Sequence, residues 1–261
     1  MSPAAAALGL APDERAVILH ADDVGMCQAS IPAFIELAES GGISSASAMV
    51  PCPWFSEVAR YCRSNPFVDM GVHLTLTSEW AGLRWAPIST VDPRSGLIDE
   101  TGHFHSRREQ ALEKGIPDAV CVELRAQLTR ARSSGIDVTH LDAHMFTAMR
   151  PPFTQLFLRL GADEGLPTLD SADHIAMLPS GDPGKREHQF RTEVDAMPPG
   201  LTHMLIHPAI DTPELRQMTP AWRERVADFE FFSGGAAKEY LRHADVRVVG
   251  YRALRDALRR P

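Results

Sequence analysis

The stretch Ala16-Val-Ile-Leu-His-Ala21, running straight into Asp22-Asp23, decides how this chain is read. A short apolar run that ends in two carboxylates has the pattern of a buried parallel strand feeding a loop. A helix follows: Ser30 can cap it, Pro32 suits its first turn, and Phe34, Ile35, Leu37 and Ala38 form an apolar stripe that Gly41-Gly42 ends. Residues 43–50 predict a second strand, and residues 54–62 a second helix with Trp54, Phe55, Val58, Ala59 and Cys62 on its apolar side. The alternation recurs, with strands predicted at 68–76, 136–141, 203–206 and 246–249 and helices at 120–131 and 153–162.

Alternation of this kind predicts an α/β fold built of βα units around a parallel sheet. The polar clusters fall at strand ends and no phosphate-binding glycine fingerprint is present. Closure into a distorted TIM-like (β/α) barrel is therefore expected in preference to an open sheet. No repeat, low-complexity tract or linker divides the chain, so residues 1–261 are read as a single domain. Two segments rich in Gly, Pro and Ser, 78–117 and 171–199, interrupt the alternation and are read as loop insertions, either lids or surface elaboration.

With a formal net charge of −8, the chain lacks the general excess of Lys and Arg that nucleic acid or an anionic membrane would require. The hydrophobic fraction of 44% is that of an ordinary globular protein. No run approaches the roughly 20 apolar residues of a membrane-spanning helix. Cys27, Cys52, Cys62 and Cys121 form no CxxC pair and are read as buried thiols of a reducing compartment. Residues 1–16 show no export signal, and a cytoplasmic location is expected.

Four polar constellations interrupt apolar runs. His20-Ala-Asp22-Asp23 closes the first strand, and two neighbouring carboxylates there can take different jobs, one on a metal and one on a water, or simply form a turn. Gly71-Val-His73-Leu-Thr-Leu76 holds a histidine inside a β-rich run, a pattern shared by ligands and hydrogen-bonded core histidines. Thr139-His140-Leu-Asp142-Ala-His144 sets three polar residues at alternate positions, which face one way in an extended segment. Leu205-Ile-His207-Pro208 ends a further apolar strand.

These segments, together with Gly42-Ile-Ser-Ser-Ala-Ser-Ala-Met-Val50, resemble the ordered motifs of the YdjC-like carbohydrate deacetylases, the group that includes chitooligosaccharide and hopanoid-associated deacetylases. The resemblance runs from about residue 16 to Arg247-Val-Val-Gly-Tyr-Arg252. It implies a distorted barrel, often dimeric, that removes the acetyl group from a small N-acetylated sugar or oligosaccharide with one divalent metal ion, Mg2+ or Zn2+. By position in the motifs, Asp23, His73 and His144 correspond to the metal ligands, Asp22 to the general base and His207 to the acid. His20, His140, Asp142, Arg225 and Asp228 are candidates to orient them.

Two departures bear on the substrate. Relatives commonly continue the His144 motif with further histidines, where this chain reads Met145-Phe-Thr-Ala-Met149, and they usually carry asparagine in place of His20. Neither change touches a ligand position. They leave open a related amide or ester hydrolase acting on a non-chitin substrate, such as an acylated lipid head group. A catalytically silent carbohydrate-binding protein is the third reading, set against the presence of Asp22 and His207.

Overall fold

The computed structural model describes residues 2–259. A short helix, α1 (Pro3–Ala7), leads to β1 (Arg15–Val24), which is buried from Ala16 onward. Then come α2 (Ser30–Ser40), β2 (Ser45–Ala48), α3 (Phe55–Ser64) and β3 (Met70–Leu74). A long excursion carrying α4 (Arg108–Lys114) precedes α5 (Pro117–Ser133), β4 (Val138–Ala143) and α6 (Thr154–Glu164). The chain continues through β5 (His174–Met177), α7 (Arg186–Asp195), β6 (Gly200–Ile206), α8 (Pro213–Met218), α9 (Trp222–Ser233) and α10 (Ala236–His243). It closes with β7 (Val246–Val248) and α11 (Tyr251–Leu258).

The seven strands form one parallel sheet in the order β4-β3-β2-β1-β6-β5, with β7 also on β1. β1 is its centre. Arg15–Ala21 pairs with β6 along one edge, while the other edge is shared by β7 at Arg15–Val17 and β2 from His20 onward. At the far side, Leu141 of β4 bridges to Thr168, from which the chain runs on towards β5. The sheet thereby curls into a distorted TIM-like barrel within a single domain.

Side-chain alternation along β1 sorts its residues between two environments. Val17, Leu19 and Ala21 join the large apolar core between the sheet and the surrounding helices. Ala16 and Ile18 join a smaller cluster with Leu201, Val249, Tyr251 and Leu254, closed by Ala4, Ala5 and Leu10. The next residues of that same register are His20 and Asp22. His20 meets the rings of His140 on β4 and His203 on β6, strands that do not neighbour one another in the sheet, so this register lines the barrel interior. Gly71 of β3 makes room for the layer: a Cβ there would come within 2.4 Å of the His140 ring.

Two expectations are corrected. The segment 171–199 is not a plain loop insertion, because it carries β5, paired with β6, and α7. β5 has four residues of alternating partial and full exposure and so offers no apolar run to recognise. Ser30 does not cap α2 with its side chain; its hydroxyl accepts from the Gly25 N–H at 3.0 Å and donates to the Cys27 carbonyl at 2.8 Å, fastening the turn that follows Asp23.

The excursion over 78–117 is tied to α5 by buried polar groups. Glu123 accepts from the backbone N–H groups of Ile88 and Ser89 at 3.2 and 2.9 Å, and Gln127 bonds both backbone groups of Thr75. The four cysteines are free, with Cys27, Cys52 and Cys62 buried. Among the described residues no helix is long and apolar enough to cross a membrane.

Candidate active site

Pairing of β1 with β2 breaks between Ala21 and Val24, so Asp22 and Asp23 sit in an irregularity at the strand's carboxyl end. Asp23 has φ 61°, in the left-handed region. A bulge of this type re-aims side chains, and here it turns two consecutive carboxylates into the same pocket. His73 arrives from β3, His144 from the residue after β4, and His207 from the residue after β6. All five residues line one cavity of about 290 Å3 at the carboxyl ends of the strands, the face on which barrel proteins build their sites.

Asp23 is the hub. Its Oδ1 lies 3.0 Å from His144 Nδ1 and 3.4 Å from His73 Nε2, while Arg225 of α9 donates to its Oδ2 at 2.8 Å. The ligand atoms of Asp23, His73 and His144 all fall within 4.8 Å of one another, and all three residues are buried. The outward nitrogen of each imidazole faces a carboxylate: Asp142 lies 3.0 Å from His73 Nδ1, and Glu79 3.0 Å from His144 Nε2. Carboxylates in such positions fix the tautomer and orientation of metal-binding histidines. Ser47 of β2 donates to Asp142 Oδ2 at 2.7 Å and completes the frame.

The charges of the set are interlocked. Burial by itself would push the His144 imidazole down, but Glu79 and Asp23 outweigh it and hold its pKa at about 9. His73 is likewise driven well above its ordinary value against burial, by Asp142 first and then by Asp22 and Asp23. Burial would raise Asp23, yet Arg225 and His144 hold it well below the usual carboxylate range. Surroundings that draw positive charge onto two imidazoles flanking a carboxylate are equally suited to a cation that replaces those protons. The donor set therefore fits a divalent metal ion.

His207 stands apart from that cluster. Its Nε2 is 3.9 Å from Asp22 Oδ2 and 4.0 Å from Asp23 Oδ2, beyond hydrogen-bond reach. Its backbone N–H donates to Asp228 Oδ2 at 2.9 Å, and Asp228 is paired at 2.9 Å with Arg186. Its ring is about one-third exposed and borders a second cavity of about 170 Å3 that also reaches Arg186 and Asp228. Burial pushes the His207 imidazole below its ordinary value, with Asp23 acting against the shift and Arg225 with it.

The wall opposite the carboxylates is apolar, made by Trp80, Met145, Phe146 and Met177. Met145 and Phe146 both have left-handed backbones, with φ 51° and 55°. Two consecutive non-glycine residues in that region are costly and mark a segment whose side chains are aimed by their surroundings.

Three residues of the site escaped the sequence reading. Glu79 lies five residues beyond the end of β3, in Thr77-Ser-Glu-Trp80, where no strand end marks it in the sequence. Ser47 is the inward partner of Ser45 in β2. His203 begins a strand that was predicted, but its inward direction is fixed only by the register with His20.

A parallel barrel that gathers aspartates and histidines at its strand ends defines the class of the site. The chain belongs to the YdjC-like protein family, whose model matches residues 16–243. It is 32% identical to a carbohydrate deacetylase of Thermus thermophilus, with 94% of this chain and 95% of that protein covered. It is 22% identical to a carbohydrate deacetylase of Thermoanaerobacter pseudethanolicus, covering 92% and 99%. In fold it is similar to a proposed cellobiose-phosphate cleavage protein from Enterococcus faecalis, with a TM-score of 0.82, 23% identity, and 92% and 99% of the two chains covered. A more distant fold similarity links it to a CE4-family pseudoenzyme from Bacillus anthracis, with a TM-score of 0.50, 10% identity, and 95% and 67% covered.

Proposed function

We propose that the protein is a metal-dependent carbohydrate deacetylase that hydrolyses the amide of a small N-acetylated sugar. One observation carries the reading: Asp22, Asp23, His73, His144 and His207, drawn from four strand ends, line the same pocket. Asp23, His73 and His144 would hold the ion. When bound, a divalent cation lowers the pKa of a coordinated water and polarises a substrate carbonyl.

The remaining steps belong to the chain's own groups. Asp22 turns Oδ2 to the pocket as general base and accepts the proton of the attacking water. Attack makes a tetrahedral centre at the acetyl carbon. His207, with Nε2 3.9 Å from that same oxygen, is within a short movement of taking the proton on and delivering it to the departing sugar nitrogen. Growing negative charge on the substrate favours protonation of this imidazole. Arg225 holds Asp23 through Oδ2 and so fixes the carboxylate that would help hold the ion. Glu79 and Asp142 orient His144 and His73.

Two imidazoles with one carboxylate suit Zn2+. Mg2+, completing its shell with waters, is the second assignment. A cavity of about 290 Å3 lies at the small end of ligand sites, so one sugar residue inside it, with any further residues outside, is the substrate size that fits. Metal analysis of the purified protein followed by an acetate-release screen over N-acetyl sugars tests the reading. Metal-loaded protein that releases no acetate from any of them counts against it. The apolar wall of Trp80, Met145, Phe146 and Met177 favours a second reading, hydrolysis of an acylated lipid head group or ester; comparing amide with ester turnover at fixed metal separates the two.

A further inference from the structure

Below the pocket floor, His20 is fully buried. Its Nε2 lies 3.1 Å from Asp22 Oδ1, 3.1 Å from Asp142 Oδ2 and 3.0 Å from Ser47 Oγ, while Nδ1 lies 3.1 Å from Ser45 Oγ. The ring is held by His203, His140 and Tyr251, with centroids at 4.7, 4.9 and 6.0 Å. These neighbours fasten one another, since Tyr251 stacks on His140 at 3.8 Å and its hydroxyl meets His203 Nδ1 at 2.8 Å. Asp22 Oδ1 is itself buried and, among the described residues, has no partner of hydrogen-bonding geometry; the His20 nitrogen at 3.1 Å is its ion-pair contact.

The two carboxylates that flank His20 have different duties. Asp142 faces His73, and Asp22 presents its other oxygen to the pocket. A histidine bonded only to fill a core would not need to stand between them. We propose that His20 is the positioning residue of the general base: by holding Asp22 through Oδ1 it leaves Oδ2 aimed at the pocket, and through Asp142 it ties that aim to the orientation of His73. This inference rests on reading Asp22 as the base. The charge balance agrees with the geometry. Burial would lower the His20 pKa, but the neighbouring carboxylates of Asp142 and Asp22 raise it to about 9, while His140 and His203 are pushed well below their ordinary value by burial first and by His20 next. The shifts thus favour positive charge on His20, between the two carboxylates, over His140 and His203.

The test uses metal-loaded full-length protein and acetate release from N-acetylglucosamine and its β-1,4-linked dimer. A glutamine amide reaches about as far as Nε2, whereas an asparagine amide stops near Nδ1. His20→Asn is therefore expected to lose about 10–100-fold in kcat, the range seen when an outer partner is removed. KM and metal content are expected to stay within about twofold, and His20→Gln to recover most of the loss. The double variant His20→Asn with Asp22→Asn is expected to be no slower than Asp22→Asn alone, as required if His20 acts through Asp22. Without any turnover, the 15N resonance of His20 Nε2 in the metal-free protein is expected to move in Asp22→Asn and to hold in Asp23→Asn.

A His20→Asn enzyme as fast as the parent, an additive double variant, or an unmoved resonance in Asp22→Asn overturns the inference. Asp22→Asn turning over like the parent instead removes the base itself, an outcome distinct from a slow Asp22→Asn beside a fast His20→Asn.

Discussion

The inward register of β1 passes through two chemically opposite regions within a few residues. At the base, Ala16 and Ile18 pack with Leu201, Val249, Tyr251 and Leu254 in an apolar plug. At the mouth, His20 and Asp22 enter a network of buried imidazoles and carboxylates. One strand thus serves stability at one end and chemistry at the other. Burying apolar surface at the base is favourable without further conditions, whereas each polar group at the mouth must find a partner or cost free energy. The contrast predicts that substitutions at the base reduce folding stability and spare turnover, and that substitutions at the mouth act first on turnover.

The largest effect is expected at the mouth. His144→Gln removes a proposed ligand while keeping a polar side chain, and metal affinity measured by titration calorimetry is expected to fall more than about 100-fold, beyond the loss of an outer partner. Retained affinity would take His144 out of the ligand set. At the base, Ile18→Ala empties a fully buried position and is expected to cost about 2–5 kcal/mol in denaturant unfolding with kcat within about twofold. A matching loss of kcat would show that the two regions are not separable.

Gly71→Ala probes the boundary between them. The added methyl meets the His140 ring at 2.4 Å, so a cost of about 1–3 kcal/mol is expected from overpacking. Because His140 lies against His20, a smaller fall in kcat should accompany it, and its absence would place the boundary above this layer.

The last effect is a pH dependence. His20 has a folded-state pKa of about 9 against an ordinary 6.5. Its contribution to stability is present in full below about pH 6.5 and is lost as pH rises through about 9. Melting temperatures of metal-free protein should therefore fall across that window more steeply for the parent than for His20→Asn, and parallel curves would argue against a charged His20.

Much of the architecture was legible because burial writes itself into local sequence. The apolar run before Asp22, the stripe of α2 and its end at Gly41, with φ 72°, could each be read from neighbouring residues. β5 could not, since a short strand with alternating exposure leaves no hydrophobic signature. For the site, Asp22, Asp23, His73, His144 and His207 stood out as polar residues ending apolar strands, and the fold gathers them around one pocket.

By itself the sequence determined which strands end in carboxylates and imidazoles, because side-chain period and strand burial are local properties. Only the tertiary structure decided which of those groups meet. Glu79 reaches His144 across 65 residues, Asp23 reaches His144 across 121, and Arg225 reaches Asp23 across 202. It also decided that His20, placed in sequence beside the Asp22-Asp23 pair, lies beneath it as the link between Asp22 and Asp142. Those pairings depend on barrel closure and on the break in β1 at Asp22-Asp23, which set distances between strands that no local pattern encodes.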